Sequence, residues 1–316
     1  MLQPLYRDLS SIKDLDVKRD VDLSRCTTFR IGGKAGLFVI PRSIQALEGA
    51  VRSFCHAGIP LRILGNGSNL LISDAGVPAV INLSGLYKLE VHGDHLVVYA
   101  GLPISRLLRW CLENGYAGME CLAGIPASLG GALFMNAGAG GCETGDFVQE
   151  ILVTGASGSS WLDVSALDCH YRSIHIEPGT IISALKIPLN HEGVSGDSAE
   201  KKALYPCNAQ KVLHKIRHVM HRRINTQPLG EPSAGCVFRN PEGRSAWSLI
   251  AACGLQGFCN GRAQVSRKHA NFIVNKGGAG FCEVRDLISI VKEKVLEQTG
   301  ILLKEEVVIW ENAVLH

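Results

Sequence analysis

The chain has 316 residues, 46% hydrophobic and 19% charged, which places it among soluble globular proteins with ample material for a buried core and two or three domains. Its 32 basic and 29 acidic residues leave a formal charge of +3 without a long run of either sign, so nucleic acid is not indicated as a partner. The 11 cysteines are odd in number, evenly spread and never in a Cys-x-x-Cys pair; this argues against a disulfide framework and a zinc site, and reads most of them as small buried hydrophobes.

The first 20 residues, MLQPLYRDLSSIKDLDVKRD, scatter their charges and hold no uninterrupted apolar core. Neither a signal peptide nor a membrane anchor is expected there, and a cytoplasmic address follows. Leu37 to Ile40 reads as a strand, after which Ser43 caps a helix with Ile44, Leu47, Val51 and Phe54 on one face, ending near Gly58. Leu61 to Leu64 is a second strand, leading into the loop Gly65-Asn66-Gly67-Ser68-Asn69 and the strand Leu70-Leu71-Ile72. A Rossmann fingerprint would need a third glycine and a following helix, and both are missing, so this loop is a phosphate cradle of another kind. Val80 to Tyr99 alternates in short apolar runs, as in hairpin strands. Ile104, Leu107, Leu108 and Cys111 then mark a helix that stops at Gly115.

Gly124 to Gly141, GIPASLGGALFMNAGAGG, is the stretch around which the rest is organised. No amphipathic helix or alternating strand accounts for so many positions without a side chain, whereas a backbone pressed against a large ligand does. Successive amides in such a turn form a cradle for an anion, and Ser128 and Asn136 add side-chain hydrogen bonds. A mobile linker is the plainer alternative, but Leu129, Leu133, Phe134 and Met135 among the glycines argue against it.

Strands follow at Ile151 to Val153 and Ile181 to Leu185, around Tyr171-Arg172-Ser173, and a polar stretch from Asn190 to Lys202 reads as a domain boundary. Beyond it lie a basic helix through Val212, Ile216 and Met220, a helix from Ser245 to Cys253, and a long helix from Glu283 to Thr299 with Gly300 as its stop.

Taken together, Thr28 to Gly33, Gly65 to Leu71, Gly124 to Gly138, Tyr171-Arg172-Ser173, Gln227-Pro228, Pro232 to Pro241, Val265 to Asn275 and Leu303 to Val307 form an ordered set that resembles the UDP-N-acetylenolpyruvoylglucosamine reductase family from about Cys26 to Ile309. The resemblance implies an α+β fold: a two-lobed FAD-binding module of the vanillyl-alcohol-oxidase type plus a C-terminal α+β substrate domain. The expected boundaries are an extension at 1–20, FAD-binding lobes at 21–80 and 81–190, and the substrate-binding domain at 203–316. It implies noncovalent FAD, with Gly65, Asn66, Gly67, Ser68, Asn69 and Leu70 in one cradle and Gly124, Ile125, Pro126, Ser128, Gly131, Asn136 and Gly138 in the other. The segment from Pro206 to His221 lacks a long Tyr-bearing loop, which points to the shorter-loop subclass.

The implied reaction is NADPH-dependent reduction of UDP-N-acetylglucosamine-enolpyruvate to UDP-N-acetylmuramate in peptidoglycan precursor synthesis, by a monomer with no metal and no membrane partner. The resemblance assigns Arg172 and Glu306 to the negative charge that develops beside the substrate carboxylate. To donate a hydrogen bond Glu306 must stay protonated, which burial favours. The family's proton donor is a serine after Ala-Gly, and here Ala234-Gly235 precedes Cys236. A thiol, with a reference pKa of about 8.5, is the stronger acid, so the role is kept. Arg223, Gln227 and Asn240 are expected on the substrate, and His269 and Asn271 read equally as ligand neighbours or as a structural polar pair. Departures at Ala127-Ser128, Arg262 and Trp310 put local contacts in question. Two other readings stand beside this one: a flavin oxidase of the vanillyl-alcohol type, and a catalytically silent binder of flavin or nucleotide sugar.

Overall fold

A computed structural model describes residues 2–167, 169–170, 173–190 and 202–311. The chain passes repeatedly between two compact units: Met1–Arg19, Leu37–Asn66 and Pro78–His221 form the first, and Asp20–Gly36, Gly67–Val77 and Arg222–His316 the second. Both mix helices and strands, so the fold is α+β. Among the described residues no helix is long and apolar enough to cross a membrane.

The first unit is built on a five-stranded antiparallel sheet in the order Gly158–Asp163, Glu150–Gly155, Ile181–Pro188, His95–Tyr99, Leu89–His92. Its middle strand begins with five buried residues, because both faces are covered, and so reads as an apolar run rather than an alternation. Ile151 stands opposite Leu185, and Leu185 opposite Val98. A second sheet has the order Leu15–Asp22, Lys34–Pro41, Val77–Asn82, Ile63–Leu64, with its last two strands parallel. The expected hairpin within Val80 to Tyr99 is therefore corrected: Val77–Asn82 and His95–Tyr99 belong to different sheets, separated by the 3-10 turn Leu83–Gly85, and Leu89–His92 is the true hairpin partner of His95–Tyr99.

The helix Ile44–His56 starts as its sequence demands, with the Ser43 hydroxyl accepting from the Ala46 amide at 3.2 Å and Leu47, Val51 and Phe54 buried. The helix Ile104–Asn114 ends at Gly115, whose φ of 70° only glycine adopts cheaply. Leu2–Ser10, within the stretch read as an extension, is a helix that buries Leu5 and Leu9 in the core of this unit.

The glycine-rich stretch differs from its sequence reading in one respect. Leu129–Phe134 is a short helix, capped by the Ser128 hydroxyl, which accepts from the Gly131 amide at 3.4 Å; its Leu129 and Leu133 are buried. A Cβ at Gly130 would collide with Ala100, so glycine there lets two backbones meet. The cysteine reading is also corrected. Cys121 and Cys142 are joined in a disulfide that brackets this stretch, and of the free cysteines described only Cys111 is buried.

The second unit has an antiparallel sheet in the order Ser233–Cys236, Phe272–Asn275, Ala263–Val265, Cys259–Asn260, and a parallel pair of Leu70–Ile72 with Val308–Trp310. Against them lies the long helix Phe281–Thr299, which buries Val284, Leu287, Ile288, Val291 and Val295. The Glu283 carboxylate accepts from the amides of Gly280 at 2.7 Å and Arg262 at 2.9 Å, fixing the start of this helix, and Gly300 with φ 71° ends it. The polar stretch 191–201, where a domain boundary is expected, lies outside the described residues.

The disulfide closes a loop with a sequence separation of 21. Cys121→Ser is expected to lower the unfolding free energy by about 3 kcal/mol in oxidising buffer, from the loop-closure entropy restored to the unfolded chain. Denaturant titrations with and without a thiol reductant check this, since reduction should bring the parent protein down to the variant.

Candidate active site

In the first unit Gly65 and Asn66, the first two residues of one expected cradle, lie against residues of the other. Gly65 lies so close to Ser128 that a Cβ on it would strike the Ser128 hydroxyl, and the Asn66 side-chain amide donates to the Pro126 carbonyl at 3.4 Å. The Asn82 side chain donates to the Gly65 carbonyl at 3.2 Å and steadies the loop from behind. Gly124, with φ 83°, turns the chain into Ile125-Pro126. Gly65, Asn66, Pro126, Ser128 and Gly131, from two glycine-rich segments, are thus drawn together.

The same bonds show which groups have internal work. The amides of Leu129 and Gly130 donate to the carbonyls of Leu102 and Ala100, both at 2.8 Å. Asn136 donates to the Glu143 carboxylate at 2.5 Å and accepts from the Gly145 amide at 3.0 Å, holding the turn that contains Gly138.

In the second unit the loop Gly67-Ser68-Asn69-Leu70 is tied to two other segments. Gly67, with φ 62°, sits where a Cβ would enter the Cys26 carbonyl, and its own carbonyl accepts from the Thr28 amide at 3.1 Å. The Thr28 hydroxyl donates onward to the Ser233 carbonyl at 2.7 Å, at the start of the strand that carries Cys236. Asn69 bonds to the other segment: its side-chain amide donates to the Glu306 carbonyl at 2.9 Å, and its own carbonyl accepts from the Val308 amide at 3.0 Å.

The segments that carry Cys236 and Glu306, 70 positions apart, are paired by a backbone ladder. The Glu306 amide donates to the Val237 carbonyl at 2.8 Å, and the Arg239 amide donates to the Lys304 carbonyl at 2.9 Å. Cys236 ends its strand opposite Phe272 after an irregularity in register, and Gly235 with φ 78° makes that turn. Of the two neighbouring glutamates, Glu305 pairs with Lys292 at 2.6 Å. Arg172 lies outside the described residues, as does Tyr171.

Arg223 and Gln227 form a pair of their own. The Arg223 guanidinium donates to the Gln227 side-chain carbonyl at 3.3 Å, and the Gln227 amide donates back to the Arg223 carbonyl at 2.8 Å. Asn240 accepts from the Ala246 amide at 3.0 Å and so caps the helix Ala246–Ala252.

Asn271 was left open by its sequence context, and its geometry is decisive. It is buried, accepts from the Phe238 amide at 2.9 Å and donates to the Phe238 carbonyl at 2.8 Å, while its own carbonyl takes the Val237 amide at 2.8 Å. One side chain therefore acts as a strand partner for the segment that follows Cys236. Neither this nor the Thr28 bond had a periodic signal in the sequence, since each links residues far apart in the chain. His269 packs edge-on to Phe272 at 4.9 Å and tilted against Trp247 at 6.2 Å. Its Nδ1 is buried with no hydrogen-bond partner among the described residues, and burial holds its pKa below the usual value of 6.5. Among those residues no cluster of three His, Cys, Asp or Glu side chains could hold a metal.

Two expectations follow from these contacts. Asn271→Ala strands both polar groups of Phe238 and should destabilise the protein by about 2–4 kcal/mol, measured by denaturant titration, because buried unsatisfied groups carry their full desolvation cost. Burial makes His269 harder to protonate in the folded protein than in the unfolded chain, so its contribution is present above a pH of about 6.5 and is lost as pH falls through the folded pKa. A His269→Phe variant should show a flatter stability profile between pH 7 and 5 than the parent.

Comparison with known proteins agrees in both units. A family model for the FAD binding domain matches residues 35–162, and the model for the C-terminal domain of UDP-N-acetylenolpyruvoylglucosamine reductase matches 227–310. The reductase of that name from Syntrophotalea carbinolica is 38% identical over 301 residues, covering 95% of this chain and 96% of its own. That from Chlamydia pneumoniae is 37% identical over 295 residues, 92% of this chain and 91% of its own. The crystal structure of the Thermus caldophilus enzyme matches with a TM-score of 0.77 at 32% identity, over 94% of this chain and all of that one. Similarity of this degree along nearly the whole sequence, with loops, strand ends and tethers already in place around Cys236 and Glu306, makes this chain a member of the UDP-N-acetylenolpyruvoylglucosamine reductase family.

Proposed function

We propose that the protein reduces UDP-N-acetylglucosamine-enolpyruvate to UDP-N-acetylmuramate, with NADPH as hydride source and noncovalent FAD as cofactor, in the cytoplasmic stage of peptidoglycan synthesis. The observation that supports this chemistry is the backbone ladder in which the carbonyl of Val237, the residue after Cys236, accepts from the Glu306 amide. The residues present fit FAD: Gly65, Asn66, Pro126, Ser128 and Gly131 bring backbone and small side chains together, as close approach of a pyrophosphate would require. When bound, FAD supplies the hydride exchange between NADPH and the enolpyruvyl group.

Hydride arriving at the terminal carbon of that group leaves negative charge on its neighbour and the attached carboxylate. Arg172 and a protonated Glu306 hold this charge, as a guanidinium and a hydrogen-bond donor aimed at a developing enolate would. The Cys236 Sγ–H then gives its proton to the charged carbon, so that a C–H bond forms, the S–H bond breaks and a thiolate remains. Arg223, fixed by Gln227, supplies charge for the UDP diphosphate, and Asn240 orients the sugar side of the substrate. Relatives that match the whole chain leave the oxidase alternative, which needs a different C-terminal half, without support.

The protein should be yellow, bleach on anaerobic addition of NADPH, and recolour when the enolpyruvyl substrate is added. Recolouring by oxygen alone, or none with substrate, would contradict this reading. Cys236→Ala should still bleach but recolour at least about 100-fold more slowly, the usual range for a lost general acid. Cys236→Ser should recolour and resist alkylating agents that inactivate the parent, which steady-state turnover after iodoacetamide treatment would show.

A further inference from the structure

We propose that Asn69, whose sequence context suggests only a flavin contact, is the positioning residue for Glu306; the inference rests on Glu306 serving as the acid in the reaction above. Three hydrogen bonds carry it. The parallel pairing of Leu70–Ile72 with Val308–Trp310 starts where the Val308 amide meets the Asn69 carbonyl at 3.0 Å. One rung earlier the chain before Asn69 is already turning away at Gly67, and the donor to the Glu306 carbonyl is the Asn69 side-chain amide, at 2.9 Å. On its other side the Glu306 amide is held by the Val237 carbonyl at 2.8 Å.

Both backbone groups of Glu306 are therefore fixed, one by the strand that follows Cys236 and one by a side chain. The direction of a Cα–Cβ bond follows from the backbone that carries it, so these bonds set where the Glu306 carboxyl starts its reach. A side-chain amide copies a ladder N–H well because it offers two donors and needs no continuing strand. Removing it leaves the Glu306 carbonyl without this donor at the end of a sheet, so that the peptide after Glu306 loses one of the bonds that fix its orientation.

The test separates the two half-reactions in the holoenzyme. For Asn69→Ala and the nearly isosteric Asn69→Asp, which cannot donate when ionised, FAD affinity and the anaerobic rate of bleaching by NADPH should stay within about twofold of the parent. The rate of recolouring by UDP-N-acetylglucosamine-enolpyruvate should fall by about tenfold or more, which is the size of one lost hydrogen bond of about 1.4 kcal/mol at the transition state. In a Glu306→Gln background the same substitutions should change recolouring by less than about twofold, because residues acting through one another are not additive. Loss of FAD affinity with unchanged recolouring at saturating FAD would make Asn69 a cofactor ligand and overturn the inference; so would full additivity with Glu306→Gln. If Glu306→Gln alone recoloured at the parent rate, the assignment of Glu306 as the acid would fail instead, whatever Asn69 did.

Discussion

The hydrogen bond from the Glu306 amide to the Val237 carbonyl is the constraint on which the proposed chemistry depends. It belongs to no long strand, and each partner is held elsewhere: Val237 by Asn271, Glu306 by Asn69. Such a short ladder is weak alone, since one exchanged hydrogen bond is worth only about 1 kcal/mol net. Its strength comes from closure: the Asn271 carbonyl holds Val237 while its buried side chain clamps the neighbouring Phe238, and the Asn69 side chain holds Glu306.

The glycines divide into two kinds by what lies against them. At Gly130, Gly65 and Gly67 the neighbour is protein: Ala100, the Ser128 hydroxyl and the Cys26 carbonyl, respectively. At Gly124, Gly235 and Gly300 the backbone itself turns through positive φ. A glycine-rich stretch can thus serve internal packing as well as ligand approach. The disulfide between Cys121 and Cys142 holds the two ends of this stretch, so its stiffness does not rest on the short Leu129–Phe134 helix alone.

In the proposed reaction, Cys236 in place of the family's serine keeps a proton donor of similar size but changes its chemistry: a thiol gives up its proton more easily and can be oxidised or alkylated. Eight described cysteines are free, and Cys55, Cys259 and Cys282 are exposed, so only a substitution at Cys236 itself tells reaction there from reaction elsewhere.

By itself the sequence determined the elements whose cause is local. The caps at Ser43 and Gly115, the long helix closed by Gly300 and the buried strand beginning at Ile181 are legible because propensity, capping and periodicity act within a few residues. The motif order was likewise enough to place Cys236 and Glu306 in one family pattern. Only the tertiary structure decided what those residues touch. The separation of Val77–Asn82 from His95–Tyr99, the Cys121–Cys142 bond, the clamp of Asn271 on Phe238 and the reach of Asn69 to Glu306 join positions far apart in the chain. Contacts of that kind are set by the closing of loops and the packing of whole sheets, and no short window of residues carries that information.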